Sequence, residues 1–518
     1  MFDIFKIFRF IKENFALKDA SLILFIILAF FATRLINLES LPIFGDEGIY
    51  IRWAKTAWKD ANWRFISLTD GRQPLQTWLT IPFLKLFPEK PLFAGRLFGV
   101  LSGLLGLTGL FLLSFYLFGK KTAYISSLLY IFTPMFFFYD RMALADSMVN
   151  AGFIWIFFLS ILLIKTLRLD TALFMGLTSG FFLLAKSSLR LALINSLFAP
   201  ILIFNFEKKS KFLSKIFKHT LNYYILFTLA GILALILYNI QRLSPFFHFV
   251  SQKNLTFVMS FEEFKQTPFA YFLRNITLIP YYIFSETTWG FVFFVVIGFY
   301  LLYKKDKRLF FYLVIWLIIP LSAIAFFAKV LFPRYLLFIA GMLLIPASIF
   351  ISYFLFNTQK KLLKLIYSTF VIVFLYQSSL FNLSILFYPQ KIPFPEVDRG
   401  QYIEGVTAGW GIEDILNMAR EKTQEKPVLI ITEGDFGVLG DQFEAMKKIS
   451  DTKIHIKGYW PLEKESLEKH FADLQNRFVW VVAAYKKDAP SDWPVKKIQE
   501  FKKPNSKEKI ILYELVSP

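Results

Sequence analysis

Apolar runs of membrane-spanning length recur from residue 20 to residue 387, and short polar segments separate them. A helix needs about 20 mostly apolar residues to cross the hydrocarbon core of a bilayer. Eleven runs approach this length, at residues 20–38, 91–119, 121–138, 143–164, 171–186, 188–206, 220–240, 278–303, 309–328, 335–356 and 362–387. The run at 74–87 is too short to cross and is predicted to lie at the membrane interface. The pattern predicts a membrane α-helical bundle of about eleven transmembrane helices.

The loops between these runs differ in charge on the two sides of the predicted bundle. Short loops rich in Lys and Arg, which are typical of the cytoplasmic side, lie at residues 120–121, 165–168, 208–218, 304–308 and 360–364. This asymmetry predicts a multi-pass protein of the cytoplasmic (inner) membrane with its N-terminus inside. The first outer loop (39–90, with interfacial helices), the loop at 241–275 and the C-terminal segment are then outside.

The chain changes character after residue 388, where the long apolar runs end. Helices are predicted at 411–424, 438–448 and 462–475, and strands at 427–432, 453–457, 478–484 and 509–515. Strands that alternate with helices are typical of an α/β layer. The sequence therefore predicts a transmembrane domain at 1–388 and a small extracytoplasmic α/β domain at 389–518.

Composition excludes several classes of protein. Hydrophobic residues make up 56% of the chain and charged residues 19%, against about 45–50% and about 25% in soluble domains. The apolar content excludes disorder, and the absence of Cys excludes a disulfide scaffold and a Cys-ligated metal. The net charge is +20, but the basic residues lie between apolar runs, which favours anionic lipid and anionic substrates over nucleic acid. No nucleotide-binding fingerprint occurs, so no nucleotide cofactor is expected.

Charged residues near the outer ends of the predicted spans are candidates for chemistry, because charge at membrane depth is unfavourable and tends to mark function. Asp46 and Glu47 in the first outer loop form a carboxylate pair that can act as a base or hold a divalent cation. A solvated turn is the alternative interpretation. Arg72 can pair with a phosphate, or it can simply extend to the interface as many membrane arginines do.

Later positions add charges on the same predicted side. Asp146 lies inside an apolar run and needs a partner, either Arg141 or a metal; a purely structural Asp–Arg pair is the alternative. Lys186 and Arg334 are cations at outer span ends, where they indicate an anionic ligand or ordinary loop charge. Together these residues predict one outward-facing site that combines carboxylates with cations, as a phosphate-bearing donor would require.

Six motifs follow one another between residues 20 and 350. They are Asp46-Glu47, a basic residue followed by Pro-Leu and Trp-Leu at 72–79, Ala-Gly-Arg-Leu at 94–97, Arg-x-Ala-Leu-x-Asp at 141–146, a span ending in Lys186, and Arg334-Tyr335. This order resembles the C-type membrane glycosyltransferases that use polyprenyl-phosphate sugars, in the branch of bacterial protein O-mannosyltransferase-like enzymes and lipid A aminoarabinose transferases. Relatives often read Lys-Pro-Pro-Leu where this chain has an Arg, a Gln and Pro-Leu, and Arg is not equivalent to Lys.

The resemblance implies the C-type glycosyltransferase fold and a role for each motif residue. The catalytic carboxylates would be Asp46, Glu47 and Asp146, and a divalent metal, if one is used, would bind Asp46 and Asp146. The residues that bind the donor phosphate would be Arg72, Arg141, Lys186, Arg334 and Tyr335.

The implied reaction moves a hexosyl or pentosyl unit from a polyprenyl-phosphate donor to a protein, lipid or glycan acceptor on the outer face of the membrane. The alternative function is a polytopic transporter or flippase for an anionic or lipid-linked substrate, whose charges should cluster at the membrane midplane. A non-catalytic membrane scaffold is a third possibility.

Overall fold

The computed structural model describes residues 16–204, 211–485 and 488–517. The basic N-terminal residues before the first predicted span, and positions 208–210 of the predicted cytoplasmic loop, lie outside the described residues. The chain is mostly helical up to the end of the last apolar run, and a small sheet follows.

The first half of the chain folds into ten α-helices within the described residues. The helix at Lys120–Phe132 ends just before Pro134, because proline lacks the amide hydrogen that would continue it, and a new helix starts at Pro134. The helices are α1 (Leu17–Leu35), α2 (Gly45–Lys59), α3 (Leu75–Leu86), α4 (Pro91–Phe118), α5 (Lys120–Phe132), α6 (Pro134–Tyr139), α7 (Asp146–Thr166), α8 (Leu169–Leu183), α9 (Arg190–Ser196) and α10 (Lys211–Asn239).

The second half continues the bundle and then leads into the C-terminal domain. Asp306 starts one long helix, because its carboxylate accepts hydrogen bonds from the amides of Arg308 and Leu309 at 3.0 and 3.1 Å. The helices are α11 (Phe249–Phe257), α12 (Phe261–Gln266), α13 (Phe272–Thr287), α14 (Trp289–Lys305), α15 (Lys307–Phe327), α16 (Leu337–Asn357), α17 (Lys361–Phe387), α18 (Glu396–Arg399), α19 (Ile412–Lys422), α20 (Leu439–Met446) and α21 (Lys464–Glu468).

The helical membrane fold is confirmed, whereas the predicted count of eleven spans is not. Helices α13 and α14 are long and apolar enough to cross a membrane only when they are taken together as one span. The two helices are bent by 106° at their junction. Six described helices are long and apolar enough to cross a membrane, namely Pro91–Phe118, Asp146–Thr166, Ile216–Leu243, Lys307–Phe327, Pro333–Asn357 and Lys361–Phe387.

The remaining predicted spans differ from these six for identifiable reasons. The first, α1, is long enough to cross but includes three charged residues, Lys18, Asp19 and Arg34. The run at 121–138 is broken by Pro134, and α8 in the run at 171–186 has only 15 residues. The run at 188–206 contains a seven-residue helix between irregular turns. Hydrophobicity alone does not show these breaks.

The C-terminal segment forms one five-stranded sheet, which confirms the predicted α/β domain. The strands are β1 (Val428–Glu433), β2 (Ile454–Tyr459), β3 (Phe478–Ala483), β4 (Val495–Lys502) and β5 (Lys509–Leu515), in the order β2-β1-β3-β5-β4. Strand β1 pairs in parallel with β2 and β3, while β5 is antiparallel to β3 and β4. Strand β4 was not predicted from the sequence, because it is a mostly exposed edge strand rich in Lys.

The sheet domain packs against the first outer loop. The ammonium group of Lys55, on α2, donates hydrogen bonds to the carbonyl oxygens of Glu444 and Ala445 at 2.9 and 2.7 Å. These carbonyls lie in the last turn of α20, where cations are favourable. Arg52, also on α2, forms an ion pair with Asp441. Two charged contacts therefore join the first outer loop to the C-terminal domain.

The connector between α17 and α19 also returns to the first outer loop. Phe44 and Ala408 form an isolated antiparallel β-bridge. The amide of Gly45 donates to the carbonyl oxygen of Thr407 at 3.0 Å. The connector thus lies beside the residues that immediately precede Asp46.

The turn before α7 packs closely on α4. A Cβ atom added to Gly103 would lie 2.3 Å from the Cγ atom of Asp140, so only glycine permits this approach. Asp140 is buried and forms an ion pair with Arg34 at 3.2 Å. These contacts hold the turn that leads into α7, whose first residue is Asp146.

Candidate active site

A cavity of about 750 Å³ lies where α2, the start of α7, the turn after α8 and the start of α16 meet. Its wall also includes residues from the 253–258 segment and from the connector. Six of the eight residues predicted from the sequence line this cavity, namely Asp46, Arg72, Asp146, Lys186, Arg334 and Tyr335. The structure thus brings together residues that are far apart along the chain.

Asp46 lies in the first turn of α2 between two arginines. Its Oδ1 atom is 3.1 Å from Nη2 of Arg72, and its Oδ2 atom is 2.9 Å from Nη2 of Arg334. Burial alone would raise the pKa of Asp46, but the charges of the two arginines outweigh burial and hold the pKa at about 2. Asp46 is therefore ionised at neutral pH, and both of its oxygens are engaged.

Asp146 pairs with the third cation of the cavity. Its Oδ1 atom is 2.8 Å from Nζ of Lys186, and this ammonium lies 4.4 Å from the centre of the Tyr335 ring. Burial would lower the pKa of Lys186, but the charge of Asp146 outweighs it and raises the pKa above its usual value. Lys186 is thus a fully charged cation in the cavity wall, held by a carboxylate and an aromatic face.

Arg72 extends the ion network away from Asp46. Its Nε atom is 3.0 Å from Asp70, and the other oxygen of Asp70 is 2.7 Å from Nζ of Lys253. The guanidinium also lies 5.2 Å from the centre of the Tyr50 ring. Asp70 and Lys253 were not predicted as site residues from the sequence. Lys253 lies on α11, within the predicted outer loop at 241–275, and hydropathy does not show that this segment folds over the cavity.

The structure places Glu47 outside the cavity, although the resemblance assigns it a catalytic role. Its two carboxylate oxygens accept hydrogen bonds from Nε and Nη2 of Arg96 at 2.9 and 2.8 Å. The same oxygens accept hydrogen bonds from the amides of Ala143 and Phe44 at 2.8 and 3.0 Å. Both residues of the pair are buried. This geometry fits a residue that positions the loop rather than one that meets the substrate.

Arg141, assigned to the donor phosphate by the resemblance, also lies outside the cavity lining. Its Nη1 atom donates to the carbonyl oxygens of Thr33, Arg34 and Ile36 at 2.9–3.0 Å, and its Nη2 atom donates to Asn37 at 2.7 Å. These carbonyls lie at the C-terminal end of α1, where the last carbonyl groups of a helix have no partner within the helix. Arg141 is thus a cap for α1, and Asp146 pairs with Lys186 instead.

A divalent metal would need Asp46 and Asp146, yet both carboxylates already have cationic partners. Within the part of the chain that the structure describes, no group of three or more His, Cys, Asp or Glu side chains is arranged to hold a metal ion. A metal at Asp46 would have to displace Arg72 or Arg334, because each guanidinium occupies one oxygen. The charges around this site favour an anion.

Known proteins share both a sequence segment and the fold with this chain. Residues 72–238 match the family described as dolichyl-phosphate-mannose-protein mannosyltransferase. A comparison with curated proteins gives no match. Among solved structures, ArnT from Cupriavidus metallidurans in the apo state has 13% identity and a TM-score of 0.56, with 96% of this chain and 98% of that chain covered.

Two further solved structures carry bound lipid phosphates. ArnT from the same organism bound to undecaprenyl phosphate gives the same identity of 13% and TM-score of 0.56, over 96% of this chain and 99% of that chain. The archaeal oligosaccharyltransferase AglB from Archaeoglobus fulgidus, in complex with an inhibitory peptide and a dolichol-phosphate, has 12% identity and a TM-score of 0.50, over 90% of this chain and 69% of that chain. At these identities the likeness shows the fold.

The matched segment at 72–238 and the shared fold agree with the order of the six motifs along the chain. The segment at 72–238 contains Arg72, Asp146 and Lys186, which are three of the residues in the cavity wall. The comparisons therefore agree with the resemblance that the sequence indicates: the chain is a multi-pass membrane protein with the fold of ArnT, and its residues 72–238 match the mannosyltransferase family model.

Proposed function

We propose that the chain transfers a sugar from a polyprenyl-phosphate donor to an acceptor at the outer face of the cytoplasmic membrane. The observation that carries this proposal is the position of Asp46, between Arg72 and Arg334 in the cavity wall. This arrangement combines a proton acceptor with two phosphate-binding groups, which are the two requirements of glycosyl transfer from a lipid phosphate.

Arg72, Arg334 and Lys186 would bind the donor phosphate. All three are cations of the cavity wall, and guanidinium groups can bind a phosphate through two parallel hydrogen bonds. Neutralising the charge of the phosphate makes it a better leaving group. The undecaprenyl phosphate bound to ArnT and the dolichol-phosphate bound to AglB support a lipid phosphate as the ligand of this fold.

Asp46 would act as the base toward the acceptor. In the step proposed here, the bond between the sugar carbon and the phosphate oxygen breaks, the acceptor oxygen bonds to that carbon, and the acceptor proton passes to Asp46. A donor phosphate competes for Arg72 and Arg334, which weakens their hold on the carboxylate and raises its pKa. Donor binding would thereby increase the basicity of Asp46.

The sugar would be a hexosyl or pentosyl unit, and the acceptor a protein, lipid or glycan that reaches the outer side. The N-terminus would be cytoplasmic, with the sheet domain outside. The carboxylates would act without a metal, so a chelator should leave transfer unchanged.

The test is donor consumption by purified full-length protein in detergent with polyprenyl-phosphate sugars. We expect Asp46→Asn to slow transfer or hydrolysis of the donor by about 100-fold or more. Asp414→Asn is the matched control, because Asp414 is exposed on α19. Equal consumption by the native protein and Asp46→Asn would remove Asp46 from the mechanism. Failure of the native protein to bind or consume any donor would contradict the proposal and favour transport.

A further inference from the structure

The connector brings a neutral side chain to the charged cavity. Gln401 lies in the π-helical turn Gly400–Glu404, and it lines the cavity. Its Oε1 atom accepts a hydrogen bond from Nη1 of Arg334 at 3.1 Å. Because a guanidinium group can only donate, this contact fixes which end of the Gln401 amide faces Arg334.

Arg334 is enclosed on several sides. Its Nη1 atom also lies 3.3 Å from the hydroxyl of Tyr402, and its guanidinium carbon is 5.3 Å and 5.5 Å from the ring centres of Phe44 and Tyr335. Among the described residues, Asp46 is the only carboxylate within ion-pair distance of Arg334. Gln401 therefore completes the surroundings of Arg334 with an oxygen that carries no formal charge.

The cavity wall has more cations than carboxylates, which suits an anionic ligand. Its carboxylates are Asp46 and Asp146, and its cations are Arg72, Lys186, Arg190, Lys253 and Arg334. A carboxylate in place of the Gln401 amide would form a second ion pair with Arg334. That ion pair would compete with a bound phosphate for the same guanidinium.

We propose that Gln401 is a positioning residue for the donor phosphate. It orients Arg334 through a neutral hydrogen bond and so leaves the guanidinium charge available to the anion. This inference rests on the proposed function and deepens it, because it gives the C-terminal segment a part in donor binding.

The sheet domain sets the position of Gln401. The hydroxyl of Thr407 donates to the backbone carbonyl of Gln401 at 2.8 Å, and Nε2 of Gln442 donates to the carbonyl of Thr407 at 2.8 Å. The ammonium of Lys503 donates to the carbonyl of Gly405 at 2.7 Å. Gln442 lies on α20, and Lys503 follows β4. The sheet domain thus holds the connector that orients Arg334.

Two substitutions separate charge from shape at this position. Gln401→Met keeps the length of the side chain and removes the acceptor, while Gln401→Glu keeps the acceptor and adds a negative charge. The affinity of the full-length protein for undecaprenyl phosphate and for undecaprenol, which lacks the phosphate, is measured in detergent. We expect Gln401→Met to weaken phosphate binding about tenfold, the effect of one hydrogen bond to a charged group, and to leave undecaprenol binding unchanged.

Gln401→Glu should change two properties in opposite directions. Its new ion pair with Arg334 should keep or raise the thermal unfolding temperature, while phosphate affinity should fall about tenfold to a hundredfold. A residue that matters only for folding would lower both. Loss of affinity for undecaprenol and undecaprenyl phosphate alike would therefore contradict a role directed at the phosphate.

Gln424→Met provides the matched control, because Gln424 is an exposed glutamine after α19 and does not line the cavity. It should keep both the native unfolding temperature and the native preference for the phosphate over the alcohol. If both Gln401 variants keep that preference within about twofold, the proposal for Gln401 is wrong while the proposed function stands. If the native protein itself shows no preference for the phosphate, the proposed function fails, and this inference fails with it.

Discussion

The carboxylate of Asp46 pairs with two arginines. A substitution at this position should therefore affect binding of the donor and transfer of the sugar differently. Removing the charge by Asp46→Asn frees Arg72 and Arg334 for a phosphate, since each now lacks its partner in the cavity wall. We therefore expect Asp46→Asn to bind undecaprenyl phosphate at least as tightly as the native protein, although it loses transfer. Equilibrium binding in detergent checks this, and weaker binding by the variant would show that Asp46 holds the arginines in place.

The low pKa of Asp46 also predicts a dependence of stability on pH. The pKa is about 2 in the folded protein and about 3.9 for an unfolded Asp. The ion pairs of Asp46 thus stabilise the fold above about pH 4, and this contribution, about 2 kcal/mol, is lost as the pH falls toward about 2. Thermal unfolding at pH 6 and pH 3 should show a smaller acid destabilisation for Asp46→Asn. An equal acid effect in both proteins would contradict the pairing.

Some residues of the candidate site could be predicted from the sequence, because they are charged and lie at the end of a predicted span. Asp46, Arg72, Asp146, Lys186 and Arg334 fit that description. Glu47 and Arg141 do not, because their partners are set by packing. Arg96 is 49 residues from Glu47, and the carbonyls capped by Arg141 are 104–108 residues away. Gln401 is neutral and lies in an irregular connector, so neither charge nor periodicity marks it.

At the scale of secondary structure elements, the buried pair of Glu47 and Arg96 joins α2 to α4. Glu47→Gln should leave Arg96 buried without its counter-charge and lower the free energy of unfolding by about 3 kcal/mol. The double variant Glu47→Met with Arg96→Met should recover part of that loss, because neither charge is then buried alone. Thermal unfolding of the three proteins measures this. If Glu47→Gln keeps native stability and loses transfer, Glu47 acts in catalysis as the resemblance implies.

The elements themselves were predictable to different degrees. Long apolar helices such as α7 and α16 follow directly from hydropathy, since they are buried all round in the bundle. The 106° bend between α13 and α14 falls inside the predicted span at 278–303, where four polar residues at 285–288 interrupt the apolar run without indicating a change of direction. Thr288, at this bend, has a φ of 78°, a conformation that a β-branched residue rarely adopts. Sequence periodicity reports burial, and it does not report a change of helix direction.

At the scale of the whole molecule, the α/β domain and the membrane bundle depend on each other through α2. Lys55 contributes hydrogen bonds to the end of α20 that no apolar side chain can replace. We expect Lys55→Met to weaken the docking of the sheet domain by about 1.4 kcal/mol or more, since hydrogen bonds to charged groups contribute about 1.5–3 kcal/mol each.

Limited proteolysis of the connector measures this docking. Cleavage reports the population of the opened state when opening is fast, so Lys55→Met should be cut about tenfold faster or more. Lys59→Met is the matched control, because Lys59 is exposed one turn later on the same helix. Equal cleavage of the two variants would show that the domain is held by other contacts.

The change from a helical bundle to a sheet domain was predictable from hydropathy, but the dependence of these two parts on each other was not. The connector's bridge to Phe44 is made by backbone atoms, which every residue carries alike. Side-chain patterns therefore cannot indicate it.

The pairing of Asp46 with Arg334 has a consequence for the order of events during synthesis. These residues are separated by 288 positions, and ribosomes add roughly 5–20 residues per second. Arg334 is therefore synthesised roughly 15–60 s after Asp46. The connector that forms the bridge to Phe44 is synthesised later still. Under the proposed function, a growing chain cannot consume donor until its residues up to about 408 have been made, because the candidate site lacks Arg334 and the connector before then.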